Sequence, residues 1–157
     1  MNYTLKKGTR VDLLEDDLEV CSYVFTYGTL KLGRGNDRIL TRHDAEYLGS
    51  VVTEDTYVMG NVGCPYVFKV STMAEIGGME STSYAPVRGD LWEVPNTACM
   101  ASLDMLEGHP THYTRELVNV TDTEGTTHEV WMYVQLDPMA VYHCHMVELN
   151  DEGEYEW

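Results

Sequence analysis

The chain has 157 residues, enough for one domain that buries about 70% of its unfolded surface, and 43% hydrophobic content argues against an unfolded chain. Its 26 acids against 10 bases give a formal charge of −16 at pH 7. That argues against nucleic acid and anionic membranes, whose binding rests on Lys and Arg. In chain order, residues 1–20 read as a charged lead-in with little periodicity. Ser22–Tyr27 is aromatic and β-branched, a strand that runs straight into Gly28. Gly33-Arg34-Gly35-Asn36 interrupts the chain, and Asp37–Arg42 reads as a short helix. Glu46–Val52 and Tyr66–Val70 are strand candidates separated by a Gly-rich stretch, GNVGCP. Residues 71–86 have turn composition and read as a mobile excursion, after which Val87–Val94 resumes as a strand.

The clearest helix follows Pro95, with Asn96 or Thr97 as its N-cap. Cys99, Met100, Leu103 and Leu106 fall at spacings of three and four and make one apolar face. Gly108 suits the left-handed residue that ends a helix, and Pro110 prevents continuation. Tyr113–Val120 and Thr127–Val134 then read as a hairpin. The last residues, DEGEYEW, are acidic and expected to fray. The expected class is α+β on an antiparallel or mixed sheet, with an extension at 1–21, a domain at 22–150 and a tail at 151–157.

No run of about 18 apolar residues occurs, and the first residues lack the apolar middle of a signal peptide. The expectation is a soluble cytoplasmic protein. Cys21, Cys64, Cys99 and Cys144 form no C-x-x-C pair, so they are expected to be buried and reduced. His143 and His145 flank Cys144 and would share one face of a strand. Ordinary strand alternation explains that spacing without a metal, and none is expected.

Two places look chemical. At Tyr27-Gly28-Thr29-Leu30, followed by Gly33 and Asn36, a strand ends at Gly before a helix. Such a turn either leaves backbone N–H groups free to hold a carboxylate or oxyanion, or needs Gly for geometry alone. At Leu103–Gly108, Glu107 sits where the last helix carbonyls are partially negative, with Asp104 one turn earlier. Both effects would raise its pKa toward the range of a general acid–base; the alternative is a solvated surface carboxylate.

The ordered set Y-G-T-L-x-x-G-x-x-N at 27–36, G-D-L-W-E-V at 89–94 and L-D-x-x-E-G-x-P-x-x-Y-x-R at 103–115 resembles the gamma-glutamylcyclotransferase-like family, in its AIG2-like and gamma-glutamylamine cyclotransferase branch. The resemblance spans about residues 22–135. It implies a small mixed β-barrel with flanking helices, no metal and no organic cofactor. It also implies Glu107 as catalytic acid–base, with Tyr27, Gly28, Thr29, Leu30 and Tyr113 binding the γ-glutamyl group of a small-molecule amide. Arg115 is expected to be a structural partner of Asp104 or Glu116. Residues before the first motif and a long 71–86 depart from the family's usual pattern and bear on the pocket mouth. From Met79 onward 2 bases face 15 acids, so a cationic leaving amine is expected. A non-catalytic binder on the same fold and an acidic decoy of a basic groove are the competing classes.

Overall fold

The apolar alternation of Tyr23–Thr26 gives strand β1, whose two faces feed two different cores. Phe25 points among Val51, Leu91, Val120, Val130 and Met132, while Val24 joins Leu30, Leu40, Trp92, Cys99, Met100 and Leu103. The computed structural model describes residues 10–78 and 84–157, with side chains from Leu14 onward. Its elements are α1 (Arg10–Val20), β1 (Tyr23–Thr26), α2 (Arg38–Arg42), β2 (Glu46–Thr53), β3 (Tyr57–Asn61), β4 (Pro65–Lys69) and α3 (Val70–Ala74). They continue with β5 (Arg88–Glu93), α4 (Thr97–Glu107), β6 (Thr114–Asp122), β7 (Thr127–Val134), a 3-10 turn (Pro138–His143) and β8 (His145–Met146).

Five strands close a barrel in the order β1-β5-β2-β6-β7. Its seam is a parallel pairing of β1 with β7, and its other pairings are antiparallel. The class is therefore α+β with a mixed sheet, as the sequence implied. A second sheet, β4-β3-β8, stands beside the barrel. Helix α4 carries Cys99, Met100 and Leu103 into the cluster that holds Val24 and Trp92, so the helix is pinned by the outward face of β1.

Gly89 is the tightest point of the β1–β5 pairing. A Cβ there would strike the Thr26 carbonyl and lie 2.6 Å from the Phe25 ring. Backbone cannot yield as a flexible side chain can, so Gly89→Ala is expected to destabilise the barrel by about 2–3 kcal/mol. That lowers Tm by roughly 5–10 °C. A thermal melt by circular dichroism checks it, and an unchanged Tm would show that the strands separate there without penalty.

Four sequence expectations are corrected. The lead-in is helical over Arg10–Val20, because Leu14 and Leu18 pack into the α4 cluster and Asp17 pairs with Arg115 at 2.9 Å. The stretch between the second and third expected strands holds β3, whose residues pair with both β4 and β8. The expected mobile excursion begins with α3, where Met73 is buried with Val58 and Phe68, and ends with Ala85 bridged to Tyr57. Residues 79–83 of that excursion lie outside the described residues. The tail does not fray: Arg88 grips Glu154 through two hydrogen bonds of 2.7 and 2.9 Å, and Tyr155 is buried against the barrel. No helix among the described residues is long and apolar enough to cross a membrane.

Candidate active site

Glu107 owes its place to the two ends of α4. Asn96 Oδ1 accepts the Cys99 N–H at 2.9 Å and starts the helix. Gly108, at φ 66°, ends it in the left-handed conformation, so Glu107 is the last helical residue. Its own carbonyl accepts the Tyr113 N–H at 3.2 Å, and Gly108 O accepts from His112 N at 2.8 Å. The turn after the helix thus brings Tyr113 back beside the Glu107 carboxyl.

The opposite wall is the loop after β1. Asp90, on β5, accepts the Leu32 N–H at 2.8 Å. Asn36 holds Thr29 twice, through its side chain to Oγ1 at 2.8 Å and its backbone N–H to the carbonyl at 3.1 Å. Lys31 Nζ donates to the Trp157 carbonyl at 2.9 Å, which ties the C-terminal residues to the same loop. The fixed loop leaves the N–H groups of Thr29 and Leu30 without an acceptor among the described residues. Gly28 is required by contact: a Cβ there would lie 2.7 Å from the Pro65 ring at the start of β4.

Between these walls is a cavity of about 200 Å³. At ~30 Å³ per water molecule this is the space of six or seven waters. It is smaller than the ~300 Å³ at which drug-sized pockets begin, so it suits a small head group. Tyr27, Gly28, Thr29, Leu30, Glu107 and Tyr113, the six site residues read from sequence, all line it. The lining also includes Thr26, Cys64, Pro65, Leu106, His112 and Tyr133, which sequence reasoning did not place in the site; Leu106, expected on the apolar face of the helix, is instead 42% exposed. Cys64 and Pro65 arrive from the β3–β4 hairpin, and no local pattern ties that hairpin to Glu107.

Burial pushes the Glu107 carboxyl up to about 7. The cause differs from the one expected, because Asp104 does not face Glu107. It is turned inward and neutralised by Arg115, with Nε at 2.7 Å from Oδ1 and Nη2 at 3.0 Å from Oδ2. Asp104 is thus the partner expected for Arg115, whereas Glu116 pairs with Lys69. Tyr133 Oη donates to Asp104 Oδ1 at 2.6 Å. Tyr27 Oη donates to the Tyr133 carbonyl at 2.5 Å and Tyr113 Oη to the Pro65 carbonyl at 2.9 Å. Both phenols are held above their ordinary pKa, first by burial and also by the nearby Glu107 charge. They remain neutral while Glu107 titrates near pH 7.

Residues 24–156 match the family described as Gamma-glutamyl cyclotransferase, AIG2-like. The chain belongs to this family. Its curated relatives include "Putative gamma-glutamylcyclotransferase MJ1514" of Methanocaldococcus jannaschii, 27% identical over 85% of this chain and 97% of that protein. Another is "Putative gamma-glutamylcyclotransferase CG2811" of Drosophila melanogaster, 30% identical over 77% of this chain and 74% of that one. In three dimensions the chain is similar to an AIG2-like protein of Mus musculus, with TM-score 0.63 and 21% identity over 83% and 88% of the two chains. It also resembles a uropathogenic E. coli protein, with TM-score 0.58 and 15% identity over 85% and 91%. At these identities the solved structures speak for the fold. In this chain the Y-G-T-L loop and the E-G turn are the two walls of the cavity.

His143 and His145 do not share a strand: His143 closes the 3-10 turn and His145 opens β8. Among the described residues no group of three or more His, Cys, Asp or Glu side chains is arranged to hold a metal ion. Cys21 and Cys99 are buried as expected, whereas Cys64 and Cys144 are half-buried.

Proposed function

We propose that this family member cyclises a γ-glutamyl amide to 5-oxoproline and releases the free amine. The observation that carries the reading is Glu107, a half-buried carboxyl with a pKa near 7 facing the loop of free N–H groups across a small cavity. The substrate's α-amine attacks its own γ-carbonyl, so nucleophile and electrophile share one molecule and proximity supplies much of the rate. The protein's task is proton movement. The Glu107 carboxylate takes a proton from the α-ammonium, and the freed lone pair forms the new C–N bond. The carbonyl electron pair moves onto oxygen as that bond forms and returns as the bond to the leaving nitrogen breaks. The leaving nitrogen takes the proton from Glu107, and the ring nitrogen releases its second proton to solvent, which leaves the lactam of 5-oxoproline neutral and regenerates the Glu107 carboxylate. A group near pKa 7 serves both directions at neutral pH. The N–H groups of Thr29 and Leu30 suit the α-carboxylate or the developing oxyanion.

The cavity lining includes one acid, Glu107, so preference for a cationic leaving amine would act at long range, through the acidic surface rather than by contact. The test is release of 5-oxoproline from a panel of γ-glutamyl amides, read by mass spectrometry at low and high salt. Conjugates of lysine side chains or polyamines are expected to show the higher kcat/KM and to lose that advantage in salt. Equal, salt-insensitive turnover of neutral conjugates would remove the steering claim. No 5-oxoproline from any conjugate would overturn the proposed reaction.

A further inference from the structure

Thr26, on β1, lines the cavity, is 3% exposed, and its Oγ1 has no hydrogen-bond partner among the described residues. A buried hydroxyl without a partner is destabilising and calls for an explanation. The indole N–H of Trp92 is also unpartnered, but Trp92 is not part of the cavity lining. Strand and helix periodicity place Thr26 with respect to Glu107. β1 carries Val24 and Thr26 on one face, and α4 carries Leu103 and Glu107 on one face. Val24 and Leu103 meet in one core cluster, and the next step along each element reaches the cavity.

The neighbouring hydroxyls have one polarity. Tyr27 and Tyr113 have each given their proton to a backbone carbonyl. What remains on each phenol oxygen is acceptor capacity. Glu107, once ionised, also only accepts. A cavity edged by acceptors matches an ammonium, which carries three donors and no acceptor, and the free N–H groups of Thr29 and Leu30 match a carboxylate. The two sets together fit the zwitterionic head of an α-amino acid.

We propose that Thr26 is a substrate-binding residue whose hydroxyl accepts a hydrogen bond from the α-ammonium of the bound γ-glutamyl group, beside the phenol oxygens of Tyr27 and Tyr113. This rests on the cyclisation reading above and adds a group that orients the nucleophilic nitrogen.

Thr26→Val removes the hydroxyl at nearly constant shape, and Thr26→Ser keeps it. With a γ-glutamyl amide that the wild type turns over, Thr26→Val is expected to lose about tenfold to a hundredfold in kcat/KM, as for a hydrogen bond to a charged group. Thr26→Ser is expected to retain most of the activity. A competitive inhibitor of the same shape lacking the α-amine, an N-substituted glutaramic acid, is expected to bind wild type and Thr26→Val equally. The Tm of Thr26→Val should match or exceed that of wild type, because an unpaired buried hydroxyl has been replaced by a methyl group. Full activity in Thr26→Val would overturn the assignment. So would a loss accompanied by a lower Tm and equally weakened inhibitor binding, the mark of a packing role. A wild type that turns over no γ-glutamyl amide would overturn the cyclisation reading as well, which separates the two failures.

Discussion

Glu107→Gln is expected to lose at least about a thousandfold in turnover, within the range general acid–base groups contribute, while melting higher than the wild type at pH 8. Both effects have one origin. Burial holds the carboxyl near pKa 7 in the fold against 4.5 for the exposed group. The folded state therefore favours the protonated form. Its stabilising contribution is complete below pH 4.5 and is lost as pH rises through 7. Gln mimics the protonated form at every pH, so its advantage grows over the same window, to about 3 kcal/mol at most by pH 8. For activity the sign is opposite: the proposed base is the carboxylate, and kcat/KM of the wild type should climb through a pKa near 7. Thermal melts at pH 4 and pH 8, with a pH–rate profile, check these expectations together. A variant that keeps its turnover would remove Glu107 from the mechanism. A melting difference independent of pH would instead remove the burial argument.

Arg115→Ala is expected to cost about 3–5 kcal/mol, the largest stability loss foreseen for a single side chain in this molecule. Both Arg115 and Asp104 have side chains 3% exposed. The guanidinium grips both Asp104 oxygens, lies 4.8 Å from the Trp131 ring centre and reaches Asp17 on α1 at 2.9 Å. Its removal strands a buried carboxylate and frees the N-terminal helix from its ionic anchor. At 2–4 °C per kcal/mol, Tm should fall by about 10 °C. The double change Asp104→Leu with Arg115→Met should recover most of the loss, since no buried charge is then left unpaired and Asp17, whose side chain is 34% exposed, is left to solvent. Turnover should not recover with it, because Tyr133 lines the cavity and relies on Asp104 for its hydrogen bond. A single variant within about 0.5 kcal/mol of wild type, the range of ordinary surface substitutions, would show that the pair is dispensable.

Helix α4 was legible in the sequence because its signals are local: an Asn cap, three- and four-residue apolar spacing, then Gly and Pro. The six motif residues were legible for a similar reason, as two short runs in a fixed order. Helix α1 was not, because its fit depends on Asp17 meeting an arginine nearly a hundred residues away. Strand β3 was hidden because its Gly-rich end reads as a turn, and its pairings with β4 and β8 are decided by the fold. The unpartnered state of Thr26 and the inward turn of Asp104 are likewise tertiary facts. Periodicity places a side chain on a face, but its hydrogen bonds depend on what packs there.

In the proposed reaction the amide bond is broken by the substrate's own amine, with Glu107 moving the protons. Turnover of a γ-glutamyl amide in water enriched in oxygen-18 separates this route from hydrolysis. Cyclisation predicts 5-oxoproline and free amine with no heavy oxygen in either product, and no product from Glu107→Gln. Glutamate carrying the label in its γ-carboxylate would show that water was the nucleophile and would contradict the claim.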